Sequence, residues 1–523
     1  MPTHLSHFAT NAFVHIRRHA GVGIVCAVAY FDPGNWATDL QAGSEFGFRL
    51  LFVVLLAGVF AAFLQSLATS LGCVTGLDLA SHCRLLLYDR PEHKLAYRYL
   101  LLYPLYLLSE IAIIATDLAE MLGSAIALVL LFPGLEIWHG VLITAFDVVL
   151  LLALRDPLRS TPVRAFELLI AGLVIAVLVC MVIVVSRVHV HWAEAFDGFL
   201  PSKTIFKSDA LYTSVGILGA TIMPHSLFLG STLATQNRMS SDALIPEKPR
   251  VIGQWRSLPS LRDVVGFFTA ALRRPAPSAH ATRVNRHSDR ENNSLAFVKA
   301  HLTHARFDVV GSLLGFAVLI NSMILIVAAM VFFYGQHTSE NAASLFDVYD
   351  VIQRVVNKGA ATLFAIALLA SGQSSSLIAT VAGQAVAEGF LNWRVSPIIR
   401  RLLTRLIAVI PAMAVAIALG PAGINTLLVV SQVILAIVLP FIVLPLIFLT
   451  SSRTIMSVRR PMETAVSTGS SEGAVAELAN GSDDAMVDYS SGTVMTLVGS
   501  AILLVILAAN VYVIVVLIRN GGE

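Results

Sequence analysis

Two short polar motifs interrupt apolar stretches of the chain, and their side chains are of kinds that bind metal ions. The first motif is Asp32-Pro33-Gly34-Asn35 and the second is Met223-Pro224-His225. Each contains a proline, which lacks a backbone N–H and ends or kinks an α-helix. Backbone that leaves its helix at membrane depth is tolerated only where it lines a cavity or is buried in protein. One such break in each half of a membrane protein indicates the binding site of a secondary transporter.

The side chains beside the breaks form a mixed set of metal ligands. Asp32 supplies a carboxylate, and Asn35 supplies an amide oxygen about one helical turn later. In the second motif the proline frees a backbone carbonyl near Ala220, while Met223 adds a thioether and His225 an imidazole. A soft sulfur beside hard oxygens favours Mn²⁺, Fe²⁺ and later first-row metals over Ca²⁺ and Mg²⁺. The choice among manganese, iron, cobalt, zinc and cadmium stays open.

Three acidic residues share one face of the third predicted helix, at spacings of seven and three. They are Glu110, Asp117 and Glu120. Acidic side chains inside a membrane are costly and indicate function. Arg400 and Arg401, which open the ninth predicted helix, are candidate partners for them. The acids then form a relay that carries protons from Asp32 or His225 towards the cytoplasm. The alternative is a static salt-bridge network that holds two helices together.

The composition places most of the chain in a lipid bilayer. Of the 523 residues, 56% are hydrophobic and only 13% are charged, whereas soluble proteins have about 25% charged residues. Eleven apolar runs approach or exceed the length of about 20 residues that spans a membrane. The predicted fold is therefore all-α, a polytopic membrane protein of about 11 transmembrane helices with discontinuous helices 1 and 6. The runs cover residues 20–45, 50–73, 100–131, 138–154, 163–187, 210–235, 308–334, 360–383, 402–420, 427–450 and 493–518.

The basic residues predict the orientation of the chain in the membrane. If the N-terminus is cytoplasmic, the cytoplasmic segments hold 28 of the 35 Lys and Arg residues and the outer segments hold seven. Positive charge gathers on the cytoplasmic side of membrane proteins. We therefore predict a cytoplasmic N-terminus and an extracytoplasmic C-terminus. The choice among a plasma, endosomal or vacuolar membrane stays open. The sequons at Asn292 and Asn480 then face the cytoplasm, and we expect no glycan on either.

The same pattern divides the chain into seven stretches. They are a cytoplasmic N-terminus (1–19), helices 1–5 together with helix 6 (20–236), a largely irregular cytoplasmic loop (237–300), helices 7–10 (301–450), a disordered cytoplasmic loop (451–492), helix 11 (493–518) and an external C-terminus (519–523).

The two breaks together resemble the paired signatures of the Nramp family of divalent metal transporters. The resemblance rests on Asp32-Pro33-Gly34-Asn35 with Ala220-Thr221-Ile222-Met223-Pro224-His225, and it extends over nearly all of the membrane portion. Weaker matches are Ser109-Glu110, Ala115-Thr116-Asp117-Leu118-Ala119-Glu120, Ala370-Ser371-Gly372-Gln373-Ser374-Ser375, Arg400-Arg401-Leu402-Leu403-Thr404-Arg405 and Ser431-Gln432-Val433.

Similarity to this family implies an inverted repeat of five plus five helices, proton-coupled uptake of Mn²⁺ or Fe²⁺ into the cytoplasm, and alternating access. The metal ligands that it implies are Asp32, Asn35, Met223, the Ala220 carbonyl and, in an occluded state, Gln432. Two positions depart from the family pattern. Many members have a second histidine where this chain has Gly230, and many have a second glutamine where it has Val438. The first departure bears on proton release, and the second removes a polar group from the tenth helix.

Two other functions remain open from the sequence. A sodium-coupled organic-solute symporter can share this scaffold, although it has no use for Asp32 and Met223 together. A non-transporting metal sensor is favoured only by the long 237–300 loop. The chain has no phosphate-binding glycine loop, nucleophile elbow or HExxH motif, so we predict no enzyme activity and no cofactor. The expected partners are divalent metal ions, protons and the lipid bilayer, with no nucleic acid, and we expect a monomer.

Overall fold

The first apolar run forms two half-helices that meet at an extended residue. The computed structural model describes residues 21–145, 164–238, 287, 290–335, 344–392, 397–460 and 486–519. Helix α1 (Val22–Val28) continues as a 3₁₀ turn to Phe31, and α2 spans Pro33–Phe46. Asp32 between them is extended, at φ −65° and ψ 168°, and its carboxylate accepts a hydrogen bond from the N–H of Asn35 at 2.9 Å. The aspartate thus caps α2, and the proline fits the first helical position, where an N–H has no partner within the helix.

The sixth run is broken in the same way. Helix α10 spans Ser208–Thr221 and α11 spans Pro224–Leu233. The two residues between them, Ile222 and Met223, have non-helical ψ angles of 82° and 118°. We call the two interruptions the first break and the second break. The predicted discontinuous helices 1 and 6 are confirmed.

The other predicted segments are helical over their described residues, so the predicted all-α membrane fold is confirmed. Among the described residues, eight stretches of helix are long and apolar enough to cross a membrane, and shorter apolar helices lie at Val22–Phe31 and Leu402–Ala418. One of the eight, Pro33–Thr75, holds parts of two predicted segments. The remaining helices are α3 (Leu51–Thr75), α4 (Leu79–Leu87), α5 (Lys94–Tyr97), α6 (Tyr103–Leu131), α7 (Ile137–Ala145), α8 (Arg164–Arg187), α9 (Trp192–Asp197), α12 (Leu295–Ser312), α13 (Val318–Ala328), α14 (Leu345–Val355), α15 (Lys358–Leu391), α16 (Pro397–Ala418), α17 (Gly420–Ser451), α18 (Arg453–Met456) and α19 (Thr493–Arg519).

The two predicted loops contain more regular structure than their composition indicates. Helix α12 begins at Leu295, inside the predicted 237–300 loop, and Ser294 caps it by accepting from the N–H of Phe297 at 3.3 Å. In the predicted disordered loop 451–492, strands β1 (Ser457–Arg459) and β2 (Met486–Asp488) pair in antiparallel register. Residues 239–286 and 461–485 lie outside the described part.

Residues 290–293 hold the predicted cytoplasmic ends of several helices together, and we call this segment the clasp. Arg290 donates to the carbonyls of Thr75 and Gly76, at 2.9 and 2.8 Å. Asn293 donates to the carbonyl of Cys73 at 2.8 Å. The side-chain amide of Asn292 donates to the carbonyls of Ile455 and Ser457, at 2.7 and 2.8 Å. The clasp therefore joins the end of α3 to the hairpin that leads into α19.

A histidine pair lies beside the clasp. Nδ1 of His82 is 2.9 Å from Nε2 of His287, the ring centroids are 5.2 Å apart, and the rings are nearly parallel. The two nitrogens therefore lie close to the line between the centroids, which is the geometry of a linear N–H···N hydrogen bond with one shared proton. Burial, followed by the charges of Arg290 and Arg90, lowers the pKa of His287 to about 4. Burial, followed by His287 and Arg290, lowers the pKa of His82 well below 6.5.

Candidate metal centre

The five residues predicted as metal ligands are all buried. They are Asp32, Asn35, Ala220, Met223 and Gln432. Helix α17 passes against both breaks at this level. A Cβ on Gly34 would lie 1.7 Å from Nε2 of Gln432, and one on Gly219 would lie 3.3 Å from the backbone oxygen of Gln432. Glycine at both positions lets the backbones approach closely. The structure therefore brings Gln432 to the two breaks, although it lies over 200 residues from either in sequence.

Unpartnered polar atoms mark the same region. Within the described residues, Asp32 Oδ2, Asn35 Nδ2 and Gln432 Oε1 have no hydrogen-bond partner. Buried polar atoms almost always have one, because desolvation without a compensating bond is costly. The orphaned oxygens of a carboxylate and an amide suit a hard or borderline divalent cation. The donor chemistry of the site thus fits a metal ion as cargo.

The proline of the second break adds a backbone oxygen to this set. Pro224 cannot donate to the carbonyl of Ala220, four residues earlier. At the first break, the carbonyl of Ala29 belongs to the 3₁₀ turn Ala29–Phe31, whose bonding pattern uses it within the turn. The carbonyl of Phe31 accepts from Ser371 of α15 at 2.6 Å. The oxygen of Ala220 is thus the backbone oxygen that the sequence predicts and that the proline leaves for a cation.

His225 faces α6. Its Nδ1 is 3.3 Å from the hydroxyl of Thr116, and its Nε2 has no partner among the described residues. Thr116 directly precedes Asp117 in the acidic stripe. The structure thus connects the second break to the stripe through Thr116, which the sequence did not identify.

The acidic stripe is paired with two arginines of α16. Both carboxylate oxygens of Glu110 accept from Nη2 of Arg400, each at 2.7 Å. Asp117 pairs with Arg405, whose Nη1 is 3.5 Å from Oδ1. The side chain of Arg401 lies outside the described residues. The acid Glu120 is fully buried on the same helix.

The sequence did not identify Arg405 as the partner of Asp117. The Arg405 guanidinium also donates to the carbonyl of Asp117 at 3.3 Å and to the hydroxyl of Ser376. Arg405 could have been found from its position, because it is a charged residue inside the apolar run 402–418, and intramembrane charges face the protein interior.

Helix α1 and the 3₁₀ turn after it are held by two groups of contacts that the sequence did not indicate. In the first, the carboxylate of Asp308 accepts from the N–H of Gly23 at 2.7 Å, and nearby Arg238 pairs with Glu167. The network joins α1, α8, α12 and the residues after α11. Helix α1 is thereby held against the bundle, with almost all of its residues buried.

The second group centres on Gln65 of α3. Its amide oxygen accepts from the hydroxyl of Tyr30 at 3.0 Å, and its amide nitrogen is 3.5 Å from Sγ of Cys26. A Cβ on Gly230 would lie 1.5 Å from that nitrogen. The space that a larger residue at position 230 would use is therefore filled by the Gln65 side chain.

The position of Val438 is also clear from the structure. It is buried in the core, on the half of α17 that follows Gln432. Valine has no polar side-chain atom, so Val438 supplies no amide to the site. The α17 side-chain amide that lies against the first break is that of Gln432.

Comparison with known proteins gives consistent results for sequence and fold. Residues 23–467 match the family model of Nramp, described as natural resistance-associated macrophage protein-like. The chain is 42% identical over 497 residues to the manganese transporter pdt1 of Schizosaccharomyces pombe, covering 95% of this chain and 84% of the relative. It is 40% identical over 443 residues to the iron transporter SMF3 of Saccharomyces cerevisiae, covering 84% and 82%. A solved structure of an Eremococcus coleocola manganese transporter superposes with a TM-score of 0.68 at 28% identity, covering 94% and 84%.

Proposed function

The chain belongs to the Nramp family of divalent metal transporters, and from this premise we propose that it carries Mn²⁺ or Fe²⁺ into the cytoplasm together with protons. Its relatives are metal-ion transporters, so its function is transport and not enzymatic catalysis. Because the chain belongs to this family, we do not propose the sodium-coupled solute symporter or the metal sensor as its function.

The observation that carries the proposal is the pair of orphaned buried oxygens, Asp32 Oδ2 and Gln432 Oε1, beside the two breaks. We assign Asp32, Asn35, Met223 and the carbonyl of Ala220 as ligands of the transported ion. Gln432 completes the set when α17 lies over the first break, as it does against Gly34. The thioether of Met223 gives the site its preference for transition metals over Ca²⁺.

Proton coupling follows from the carboxylate at the centre of the site. A carboxylate must be deprotonated to bind a metal, so metal binding releases a proton from Asp32. His225, which faces Thr116, and the acids of α6 then provide an exit towards the predicted cytoplasmic end. In this assignment Arg400 and Arg405 set the proton affinity of the stripe as well as its geometry.

Alternating access requires that the two ends of the bundle open in turn. The contacts of Asp308 and Gln65 with α1 support a state in which the predicted cytoplasmic side is closed. Their release would free α1 to swing away from the second break and let the ion leave. We further propose a cytoplasmic N-terminus, which the distribution of basic residues supports, a plasma, endosomal or vacuolar membrane, and a monomeric transporter.

The proposal is tested by uptake of Mn²⁺ into proteoliposomes under an imposed proton gradient, with Fe²⁺, Ca²⁺ and Mg²⁺ as competitors. We expect saturable Mn²⁺ uptake that acidifies the lumen and is independent of Na⁺. Asp32→Ala should abolish uptake without loss of folded protein. Uptake that needs Na⁺, or that moves no protons, would contradict the proposal.

The ligand assignment has its own test. Met223→Ala should retain part of the Mn²⁺ uptake but admit Ca²⁺ or Mg²⁺ better, because the remaining ligands are hard oxygens. Met181→Ala, which shortens an equally buried methionine on α8, is the matched control and should leave selectivity unchanged. Unaltered Ca²⁺ exclusion in the Met223 variant would refute the role of the thioether.

A further inference from the structure

Helix α17 contains a backbone carbonyl that its own helix cannot satisfy. Pro440 lies inside α17 and has no N–H, so it cannot donate to the carbonyl of Ala436. The side-chain amide of Asn510 in α19 donates to this carbonyl at 2.7 Å. Asn510 is buried, at 7% exposure. A polar group from another helix therefore completes the hydrogen bonding of α17 at its proline.

The satisfied carbonyl lies where α17 touches both breaks. Ala436 is one turn after Gln432, so the two residues share a face of the helix. A Cβ on Gly219, next to Ala220, would lie 2.4 Å from that of Ala436, and Gln432 lies over Gly34 in the same way. A proline inside a helix bends it, so any change in the bend at Pro440 moves Gln432 relative to the metal ligands.

Helix α19 is otherwise peripheral to the site. Many of its apolar side chains are exposed, including Val494, Leu504 and Ile518, as expected for a helix with one side in lipid. It reaches the functional part of the bundle through a second contact as well, because Tyr512 donates to the carbonyl of Ser208 at the start of α10, at 3.0 Å. Helix α19 thus bonds to both α10 and α17, which flank the second break.

We propose that Asn510 is a positioning residue for metal transport, which holds α17 in the bend that places Gln432 over the first break. The inference rests on the proposed transport function. Without the amide donor, the Ala436 carbonyl would be buried and unpartnered in this bend, so the bend would be less populated. A smaller population of the binding-competent state weakens apparent metal affinity in proportion.

The test uses Asn510→Leu, which removes the donor at similar volume. An unsatisfied buried carbonyl costs enough to shift an equilibrium by about tenfold, so we expect the KM for Mn²⁺ to rise by about that factor with little change in kcat. Titration of purified protein with Mn²⁺ should show the same factor in Kd, a readout that does not need transport. A fall in kcat alone, with unchanged KM and Kd, would overturn the proposal.

Repeating Asn510→Leu in proteins that already carry a proline substitution in α17 tests whether Asn510 positions α17 or has only a general structural role. In Pro440→Ala the new residue supplies an N–H to the Ala436 carbonyl, so adding Asn510→Leu should change KM and Kd no further. Pro445→Ala, which removes the other proline inside α17, is the matched control, and in it Asn510→Leu should retain its full effect. Equal effects of Asn510→Leu in all three backgrounds would refute the proposal.

The outcomes remain informative if a variant does not fold or if the proposed function is wrong. If Asn510→Leu alone is unstable, the double variant with Pro440→Ala must fold and bind Mn²⁺ with the affinity of Pro440→Ala alone. Wild-type protein that neither binds nor transports Mn²⁺ would defeat the proposed function instead. Wild-type transport with no dependence of the Asn510→Leu effect on position 440 would defeat only the inference.

Discussion

Replacing Arg405 by methionine should strongly destabilise the bundle. Arg405 and Asp117 have side-chain exposures of 3% and 1%, and their charged atoms are 3.5 Å apart. Removing one member of a buried ion pair leaves the other charge in a medium of low polarity, at a cost of about 3–5 kcal/mol. Methionine is unbranched like arginine and fills most of the volume of the arginine side chain without its charge. We therefore expect Arg405→Met to lower the free energy of unfolding by about 3–5 kcal/mol.

The partner variant provides the control. In Arg405→Met with Asp117→Asn both charges are gone, and we expect about half or more of the lost stability to return. The more accessible pair of Arg400 and Glu110, exposed by 12% and 15%, provides the comparison, and Arg400→Met should cost less. The assay is reversible unfolding in mixed detergent micelles, followed by tryptophan fluorescence. A loss below about 1 kcal/mol for Arg405→Met, the range of surface pairs, would refute the reasoning.

The same double variant distinguishes a proton relay from a static network. It should regain stability yet lose proton-driven Mn²⁺ uptake, because an amide at position 117 cannot release a proton. Recovery of both stability and proton-driven uptake would show that Asp117 only holds α6 to α16. Loss of uptake in a protein of restored stability would instead support the relay.

Two further perturbations address the predicted cytoplasmic end. Gly230→Ala should displace the Gln65 amide from Tyr30, since the new Cβ would lie 1.5 Å from Nε2 of Gln65. The loss of one net hydrogen bond, about 0.5–1.5 kcal/mol, should raise the reactivity of Cys26 towards a thiol reagent by about 2- to 10-fold. Unchanged labelling of Cys26 would contradict the role of Gln65. Burial lowers the pKa of His287 from 6.5 to about 4, so folding favours the neutral ring; its contribution to stability is complete above pH 6.5 and is lost as the pH falls towards 4. His287→Phe should therefore flatten the decline of unfolding free energy across that window, and an equal decline in both proteins would refute this assignment.

The breaks and the helices could be predicted because their causes are local. Pro33 and Pro224 interrupt their helices whatever surrounds them, and long apolar runs have one stable form in lipid. The start of α12 was missed because polar and basic residues, among them Lys299 and His301, separate its apolar first turn from the apolar run that begins at 308. The capping serine, Ser294, was the local signal for that start.

The pairing of side chains could not be read in the same way. Whether Arg401 or Arg405 meets Asp117 depends on which face of α16 turns towards α6, and packing between distant helices sets that angle. The filling of the space beside Gly230 by Gln65 likewise joins residues that are far apart in sequence. The sequence shows that position 230 lacks the histidine that many family members have, but it does not show that the Gln65 side chain fills that space.

The clasp has a consequence for the order in which the protein is assembled during synthesis. Asn292 emerges from the ribosome well before Ile455 and Ser457, to whose carbonyls it donates, and Asn510 follows later still. Both contacts must therefore wait for the C-terminal part of the chain, whichever helices have inserted earlier. A nascent chain that ends before β2 would leave β1 without its partner strand, and one that ends before α19 would leave the Ala436 carbonyl without its donor. Completion of α19 is thus the step at which the middle of α17 gains its last hydrogen-bond donor, after the hairpin that follows α17 has formed.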